Sequence, residues 1–398
     1  MKAKLTDRRY VVPFILITIL FFLWGFARAI LDVLNKHFQD TLNLTITDSA
    51  WIQVTTYLGY FLMAIPAGLF ISRFGYRQGV VFGLALFGLG SLAFIPAESF
   101  MVFLAALFVI GCGLTFLETA ANPYVTELGE KETASSRLNL SQTFNGMGCF
   151  LATLTIGQFL FGGGDDGEQA NVAVPYAIMG VIVLMIAVAF TRVNLPEIVH
   201  DNGKDGKATL GGILRNKWFL FGLVALLCYE VAEISINSYF VNFVTETGWM
   251  DKLDASRVVT LALVIFMAGR FIGSWIMRYI KAERLLSWCA VGTVACMLIT
   301  MLNMGTASLV ALIATYLFEA IMFPTIFSLA LDDLKGAEKK KAASLLMMTP
   351  IGGCGFLLMG YMADNTNAFL PFAIPLAAFC VVLAYSGERL MKGEKVKR

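Results

Sequence analysis

The sequence predicts an all-α polytopic membrane protein with twelve transmembrane helices in two parallel six-helix halves. Composition is the first of three observations that predict this fold: 58% of the 398 residues are hydrophobic and 15% are charged, whereas ordinary soluble proteins carry about 25% charged residues. The second is a series of twelve apolar stretches, each long enough to supply the roughly 20 residues that a spanning helix needs. The third is that segments of the first six stretches return, in order, in the last six.

Short connections separate the apolar stretches, with one exception. Residues 194–216 form a longer polar connection, and the run from His200 to Lys207 within it predicts a flexible cytoplasmic linker. The linker separates an N-terminal six-helix half, residues 1–193, from a C-terminal six-helix half, residues 217–398. The predicted spans cover residues 11–36, 48–72, 78–97, 101–128, 136–162, 173–193, 217–246, 256–280, 284–303, 307–332, 342–364 and 368–390.

Lys and Arg are distributed unequally between the two sides that these spans define. With the N-terminus inside, all but five of the 30 Lys and Arg residues belong to inner segments. Lys36, Lys252 and Arg257 belong to outer segments, and Arg28 and Arg270 fall within spans. Because cytoplasmic loops carry the excess of Lys and Arg in membrane proteins, both termini are predicted to be cytoplasmic.

The same sequence gives no basis for several other classes of function. A net charge of +2 does not predict binding to nucleic acid. All seven cysteines fall in apolar stretches, and no CxxC or other metal-ligand spacing occurs. His37 and His200 both fall outside the predicted membrane core, and no nucleophile–base pair accompanies them. We therefore expect neither an enzyme nor a cofactor.

Glu118 is the most informative single residue, because it lies inside the fourth apolar stretch. A carboxylate at the centre of a spanning helix costs about 2.5–3.5 kcal/mol on insertion scales, so Glu118 is expected to face protein or water. Pro123, five residues later, removes a backbone donor and is predicted to kink the helix. The same spacing returns in the tenth stretch as Glu319 and Pro324.

Two further pairs of segments support an internal repeat. Each pair falls in corresponding spans of the two halves, at nearly the same offset as Glu118 and Glu319. Parallel repeats of this kind place a binding site near the middle of the membrane, between the halves. The pairs are Gly68–Arg73 with Gly273–Arg278, and Thr143, Gly146 and Phe150 with Thr349, Gly352 and Phe356.

Several motifs have a recognisable form. They are Phe21–Gly25 followed by Asp32, Gly59–Phe61 with Pro66–Gly68, Leu117–Val125, Arg137–Asn145, Gly269–Gly273 and Phe323–Leu329. With them the sequence resembles, over nearly its whole length, the fucose permease branch of the major facilitator superfamily, the fucose–galactose–glucose proton symporters. The motifs in spans four and five are specific to that branch.

The resemblance implies uptake of a sugar coupled to a proton. It places the two proton-coupling carboxylates on Asp32 and Glu118, and a sugar-binding amide on Asn145 with Gln142 nearby. The sequence departs from the better-known members at three positions: Leu31 replaces an Asn, Arg28 replaces an uncharged polar residue, and Ser72 replaces the acid usual in the wider superfamily.

Arg28 and Asp32 stand four residues apart and therefore share one helix face. Two interpretations remain open for Asp32: it couples transport to the proton, or it forms a permanent ion pair with Arg28. Arg28 is assigned a structural or gating role in either case. Arg73, Pro123, Arg270 and Pro324 are assigned to the same class, and for Arg270 a clamp between helices is the favoured reading.

The predicted substrate-binding residues are carboxylates and amides, which can exchange hydrogen bonds with sugar hydroxyls. Each has a structural alternative, since polar side chains in spans also hydrogen-bond between helices. Glu230, beside this set in span seven, is equally consistent with an inter-helix role. The set consists of Asn122 in span four, Gln142 and Asn145 in span five, Glu233 and Asn237 in span seven, and Glu319 in span ten.

These observations predict a secondary-active symporter that imports a monosaccharide, fucose or a related hexose, with a proton by alternating access. A sodium-coupled sugar symporter and a drug or metabolite–proton antiporter of the same fold are the alternatives. The expected partners are the sugar and the lipid bilayer. The protein is expected to be a monomer in a bacterial inner membrane, with no cofactor other than the coupling proton.

Overall fold

The computed structural model describes residues 5–42, 44–96, 99–130, 133–161, 173–192, 210–334 and 336–395. Regular secondary structure within these ranges is entirely helical. The first helix group consists of α1 Val11–Leu42, α2 Ile46–Ser49, α3 Trp51–Phe74, α4 Tyr76–Leu92, α5 Phe100–Glu127, α6 Ala134–Phe161 and α7 Ala173–Phe190. The second helix group consists of α8 Leu210–Arg215, α9 Lys217–Glu246, α10 Lys252–Ile276, α11 Ala282–Met301, α12 Thr306–Glu319, α13 Met322–Ala330, α14 Gly336–Leu346, α15 Gly355–Asn365 and α16 Ala373–Lys395.

Each of the twelve predicted spans coincides with one long helix or with two consecutive helices. In the described part of the chain, nine helical segments are long and apolar enough to cross a membrane, and Val174–Phe190 is a shorter apolar helix. α4 has 17 residues and is therefore too short for that criterion. Within the predicted linker, the run His200–Lys207 lies outside the described residues. The last part of the linker forms α8.

The two prolines that follow the repeated glutamates have different effects on their helices. α5 continues through Pro123 to Glu127 as one α-helix. In span ten, by contrast, α12 ends at Glu319 and α13 begins at Met322. Pro324 lies in the first turn of α13, where backbone N–H groups have no partner inside the helix. In a continuous helix, the N–H of residue 324 would donate to the carbonyl oxygen of Ala320, four positions earlier. Because proline has no N–H, that carbonyl oxygen lacks this hydrogen bond.

Glycines allow the closest helix contact in the first group, which is that between α1 and α6. A Cβ atom on Gly148 would collide with the carbonyl oxygen of Phe22, and one on Gly25 would collide with the carbonyl oxygen of Asn145. Small residues permit such backbone approach within a membrane, where packing rather than the hydrophobic effect holds helices together. This contact fixes the position of Asn145 against α1.

We expect Gly148→Ala to destabilise the protein by about 1–3 kcal/mol, because the added methyl group forces α1 and α6 apart. The measurement is thermal unfolding of the purified protein. Gly387→Ala in α16 is the matched control, since a Cβ there meets nothing within 4 Å. Equal unfolding temperatures for the two variants would contradict the close packing of α1 on α6.

The two helix groups touch near both ends of the spanning helices. At the first end, named the basic end after Arg73, Lys339 and Arg389, Ser136 of α6 is hydrogen-bonded to Ser274 of α10 at 3.0 Å. Lys339 of α14 also forms an ion pair there with Glu127 of α5.

At the opposite end, the hydroxyl group of Thr47 donates to Asp364 of the second group. Slightly deeper, Gln53 Nε2 donates to Ser238 Oγ at 3.1 Å. The two helix groups are therefore in contact on both sides of the polar side chains in the middle of the described structure.

Arg137 anchors the basic end of the first helix group, and it is fully buried. Its guanidinium donates to the carbonyl oxygens of Val125 and Thr126 at the end of α5. It also reaches the carbonyl oxygen of Leu5 at 3.0 Å, before α1 begins. One side chain thus joins the start of α6, the end of α5 and the segment that leads into α1.

Candidate functional site

Buried and half-buried polar side chains from both helix groups meet in the middle of the bundle. We call this set the central polar cluster, and it contains most of the residues that the sequence predicted to bind substrate or a proton. α1, α3, α5 and α6 contribute from the first group, and α9, α10 and α12 contribute from the second. Its members are Arg28, Tyr60, Glu118, Asn122, Gln142, Asn145, Glu230, Glu233, Asn237, Arg270 and Glu319.

Arg28 forms an ion cluster with two glutamates of the other helix group. Its Nη2 atom lies 3.3 Å from Glu230 Oε2 and 3.2 Å from Glu233 Oε2. These glutamates stand three positions apart in α9, so both carboxylates are on one helix face. For Glu230, the structure supports the inter-helix role over direct sugar contact.

Helical spacing in the sequence indicates Asp32 as a carboxylate partner of Arg28. In the described structure, the carboxylates that pair with Arg28 belong to α9. The reason is that helical spacing reveals neighbours on the same helix but not the side chains of a facing helix. Asp32 itself belongs to α1, and its side chain lies outside the described part. The alternative of a fixed Arg28–Asp32 pair therefore stays a prediction.

Glu118 is buried between α5 and α3. Its Oε1 atom accepts a hydrogen bond of 2.7 Å from the hydroxyl group of Tyr60. Arg28, Glu233 and Arg270 are close enough to interact with it electrostatically. The expectation that Glu118 faces protein rather than lipid is consistent with this position, while its role in proton coupling stays a prediction.

Arg270 connects α10 with the break in span ten and with α6 of the first group. Its Nε atom donates to the carbonyl oxygen of Ala320 at 2.9 Å, which is the carbonyl that Pro324 leaves without a helical donor. Its Nη1 atom donates to the side-chain oxygens of Gln142 at 3.2 Å and Asn145 at 3.3 Å. These bonds give Arg270 the geometry of an inter-helix clamp.

The three predicted amides of the first helix group are all hydrogen-bonded to their neighbours. Gln142 Nε2 donates to Asn122 Oδ1 at 3.4 Å, and Asn122 Nδ2 points to Met347 Sδ at 3.4 Å. Asn145 Nδ2 donates to the carbonyl oxygen of Phe21 at 3.2 Å. Arg270 thus donates to the oxygens of both Gln142 and Asn145, and a ligand that donates to these oxygens competes with it.

Glu319, the repeat counterpart of Glu118, has no exposed surface. Within the described structure, neither of its carboxyl oxygens has a hydrogen-bond partner. Glu233 and Arg270 lie within electrostatic reach of it. The oxygen Oδ1 of half-buried Asn237 likewise has no partner among the described residues. The second helix group thus offers polar groups that are not already engaged.

The remaining predicted residues lie outside this contact network. Arg73 is exposed in the last turn of α3, with its guanidinium 5.3 Å from the centre of the Phe74 ring. Pro123 directly follows Asn122 in α5. Pro324 acts through the freed carbonyl of Ala320, and its own ring makes no polar contact.

The central polar cluster has more acidic than basic groups. Two arginines, Arg28 and Arg270, face four glutamates, Glu118, Glu230, Glu233 and Glu319, which would give a formal charge of −2 if all were ionised. No group of residues with metal-ligand geometry occurs in the described ranges. An acidic cluster of this kind can accept protons or a ligand that is rich in hydrogen-bond donors.

The sequence pattern indicates neither a role for Tyr60 nor the pairing of Glu230 with Arg28. Tyr60 appeared only as part of a motif, because a tyrosine in a span rich in aromatic residues carries no signal of its own. The acidic pair in α9 was visible, but its cation comes from a helix about 200 residues earlier in the chain. Such a long-range pairing has no signature in local spacing.

Comparison with known proteins places this arrangement in a family. Residues 17–354 match the Major Facilitator Superfamily. The chain is 34% identical to the glucose/galactose transporter of Brucella abortus biovar 1 (strain 9-941) over 379 residues, which cover 93% of this chain and 92% of that protein. It is also 34% identical to the L-fucose-proton symporter of Escherichia coli K12, with 96% and 94% covered.

Solved structures lead to the same assignment. The crystal structure of the transporter FucP in the outward conformation superposes with a TM-score of 0.81 at 32% identity, and covers 96% of this chain and 99% of that chain. The proton:xylose symporter XylE shares the fold alone, with a TM-score of 0.74 at 13% identity. This chain is thus a multi-pass membrane protein that belongs to the Major Facilitator Superfamily and, within it, to the fucose permease family of sugar–proton symporters.

Proposed function

We propose that the protein is a secondary-active symporter that imports a monosaccharide, fucose or a related hexose, together with a proton. The observation that carries this proposal is the position of Glu118, a buried carboxyl in the same polar cluster as three amides, where both helix groups meet. A sugar is uncharged and rich in hydroxyl groups, and amides and carboxyls both donate to and accept from such groups. A buried carboxyl provides a group that can bind and release a proton.

The roles follow the layout of the central polar cluster. Gln142, Asn145 and Asn122 bind the sugar from the first helix group, and Glu233, Asn237 and Glu319 bind it from the second. Glu118 carries the coupling proton, with Asp32 as its partner in coupling. Arg270 holds the amides in the closed state and releases them when the sugar arrives.

The proposed cycle is alternating access. The halves 1–193 and 217–398, joined by the linker 194–216, rock about the site and open it to one side at a time. The contacts at the basic end and at the opposite end are the two gates, with Arg73 at the first. The excess of Lys and Arg at the basic end favours cytoplasmic termini. We further propose that the protein works as a monomer in a bacterial inner membrane.

The test is a panel of uptake measurements in proteoliposomes that contain a pH-sensitive dye. We expect L-fucose, D-galactose or D-glucose, added outside, to acidify the lumen at external pH 6 and to do so more slowly at pH 8. Uptake of labelled hexose that requires external sodium and leaves the luminal pH unchanged would support sodium coupling instead. Alkalinisation on addition of an apolar cation, with no response to any hexose, would support the antiporter.

A further inference from the structure

Glu118 and Glu319 occupy equivalent positions in the two halves, each five residues before a proline, yet their surroundings differ. Glu118 accepts a hydrogen bond from the Tyr60 hydroxyl and has Arg28 within electrostatic reach. Both features stabilise an ionised carboxylate. Glu118 is itself buried, which disfavours the charged form, and these two contacts offset part of that cost.

Glu319 has a cation, Arg270, within electrostatic reach, but no hydrogen-bond donor like Tyr60 among the described residues. It has no exposed surface, and neither carboxyl oxygen has a donor among the described residues. An ionised carboxylate without a partner in such a place is far more costly than a neutral acid, because charge is stabilised chiefly by solvent or by hydrogen-bond donors. Burial and the lack of donors both favour the protonated form.

The charged and titratable groups that face Glu319 do not reverse this preference. From α9, Glu233 and Tyr229 interact with it electrostatically. A negative Glu233 disfavours a second negative charge, and the Tyr229 hydroxyl is also buried without a partner in the described structure. From α10, Arg270 favours ionisation, but its hydrogen bonds within the described structure go to Ala320, Gln142 and Asn145.

We propose that Glu319 is a permanently protonated carboxylic acid that donates a hydrogen bond to the substrate, and that its proton is not transported. A neutral carboxyl group has one O–H donor and a carbonyl acceptor, so it matches a sugar hydroxyl or ring oxygen in both directions. The two repeated glutamates therefore have different roles: Glu118 binds and releases the coupling proton, and Glu319 forms hydrogen bonds with the sugar. The substrate role of Glu319 rests on the proposed function, whereas its protonation does not.

The protonation state has a direct spectroscopic test. Protonated carboxyls have an infrared C=O stretching band that ionised carboxylates lack. We expect the difference spectrum between wild type and Glu319→Gln to contain this band at constant intensity from pH 5 to pH 9. The exposed Glu388→Gln on α16 is the matched control and is expected to lose only a carboxylate band at neutral pH. If the band is missing at pH 7, or disappears as the pH rises to 9, Glu319 is not permanently protonated.

Transport by substituted proteins tests the rest of the proposal. Gln is neutral and can still donate and accept, so Glu319→Gln is expected to keep the proton-to-sugar ratio and to change KM by about threefold or less. Glu319→Ala removes the donor and is expected to raise KM by about 10- to 100-fold, with the ratio unchanged. A lower ratio in Glu319→Gln would show that this proton is transported and would overturn the proposal.

The two arms distinguish failure of this inference from failure of the proposed function. If no hexose is transported but the infrared band persists, the protonated acid stands and the sugar assignment falls. If hexose transport is measured and the band is missing, the symporter stands and the role given to Glu319 falls. An equal KM in Glu319→Ala and wild type would likewise remove Glu319 from the sugar site.

Discussion

Glu118→Gln is expected to abolish sugar accumulation while sugar exchange continues. Gln resembles a protonated glutamate in shape and charge, so the loaded carrier can still rock between its two open states. It cannot release a proton, and the free-energy gradient of the proton then no longer drives the cycle. In wild type, a membrane potential of about 100 mV supplies about 2.3 kcal/mol per proton, which sustains roughly a 50-fold accumulation ratio. The ratio in the variant is expected to fall to about 1.

The measurement compares two assays in the same proteoliposomes. Counterflow reports exchange of labelled against unlabelled sugar, and uptake under an imposed pH gradient and potential reports accumulation. Tyr60→Phe is an informative companion, because it removes the hydrogen bond to Glu118 and keeps the carboxyl group. We expect it to retain accumulation. Loss of counterflow and accumulation to the same degree in folded Glu118→Gln would refute the coupling role.

The sequence alone predicted the fold because hydropathy and charge distribution act over whole spans. The number of spans and the place of each helix follow from runs of about 20 apolar residues. One polar residue within such a run does not remove the signal. The burial of Glu118 could also be predicted, since the cost of a charge in lipid depends on its depth in the span and not on which helix it faces.

The contacts within the site could not be predicted in the same way. Pro324 indicates that the carbonyl of Ala320 lacks its helical donor, but it does not indicate that Arg270 supplies one. Likewise, spacing pairs Arg28 with Asp32 on one helix, whereas Glu230 and Glu233 approach it from a helix of the other group. Which helix faces which is set by packing of the whole bundle, and no local pattern records it.

The ion cluster of Arg28 gives the second large expected effect. Arg28→Met is expected to destabilise the protein by about 3–5 kcal/mol, the range found when one partner of a buried ion pair is removed. The two glutamates that remain are 1% and 8% exposed in their side chains, so water cannot replace the lost cation. The unfolding temperature of the purified protein measures this loss, and transport is expected to fall with it.

Arg257→Met provides the matched control, because Arg257 also pairs with a carboxylate, Asp254 at 2.9 Å, but at the surface, with side chains 69% and 57% exposed. An exposed pair of this kind contributes about 1 kcal/mol or less.

Adding Glu230→Gln and Glu233→Gln to Arg28→Met is expected to restore much of the stability, because a neutral set of the same shape removes the unpaired charge. Equal losses in Arg28→Met and Arg257→Met would mean that the charges of the two glutamates are compensated by other groups. The ion cluster between α1 and α9 would then add no more stability than an exposed ion pair, and Arg28 would contribute through packing alone.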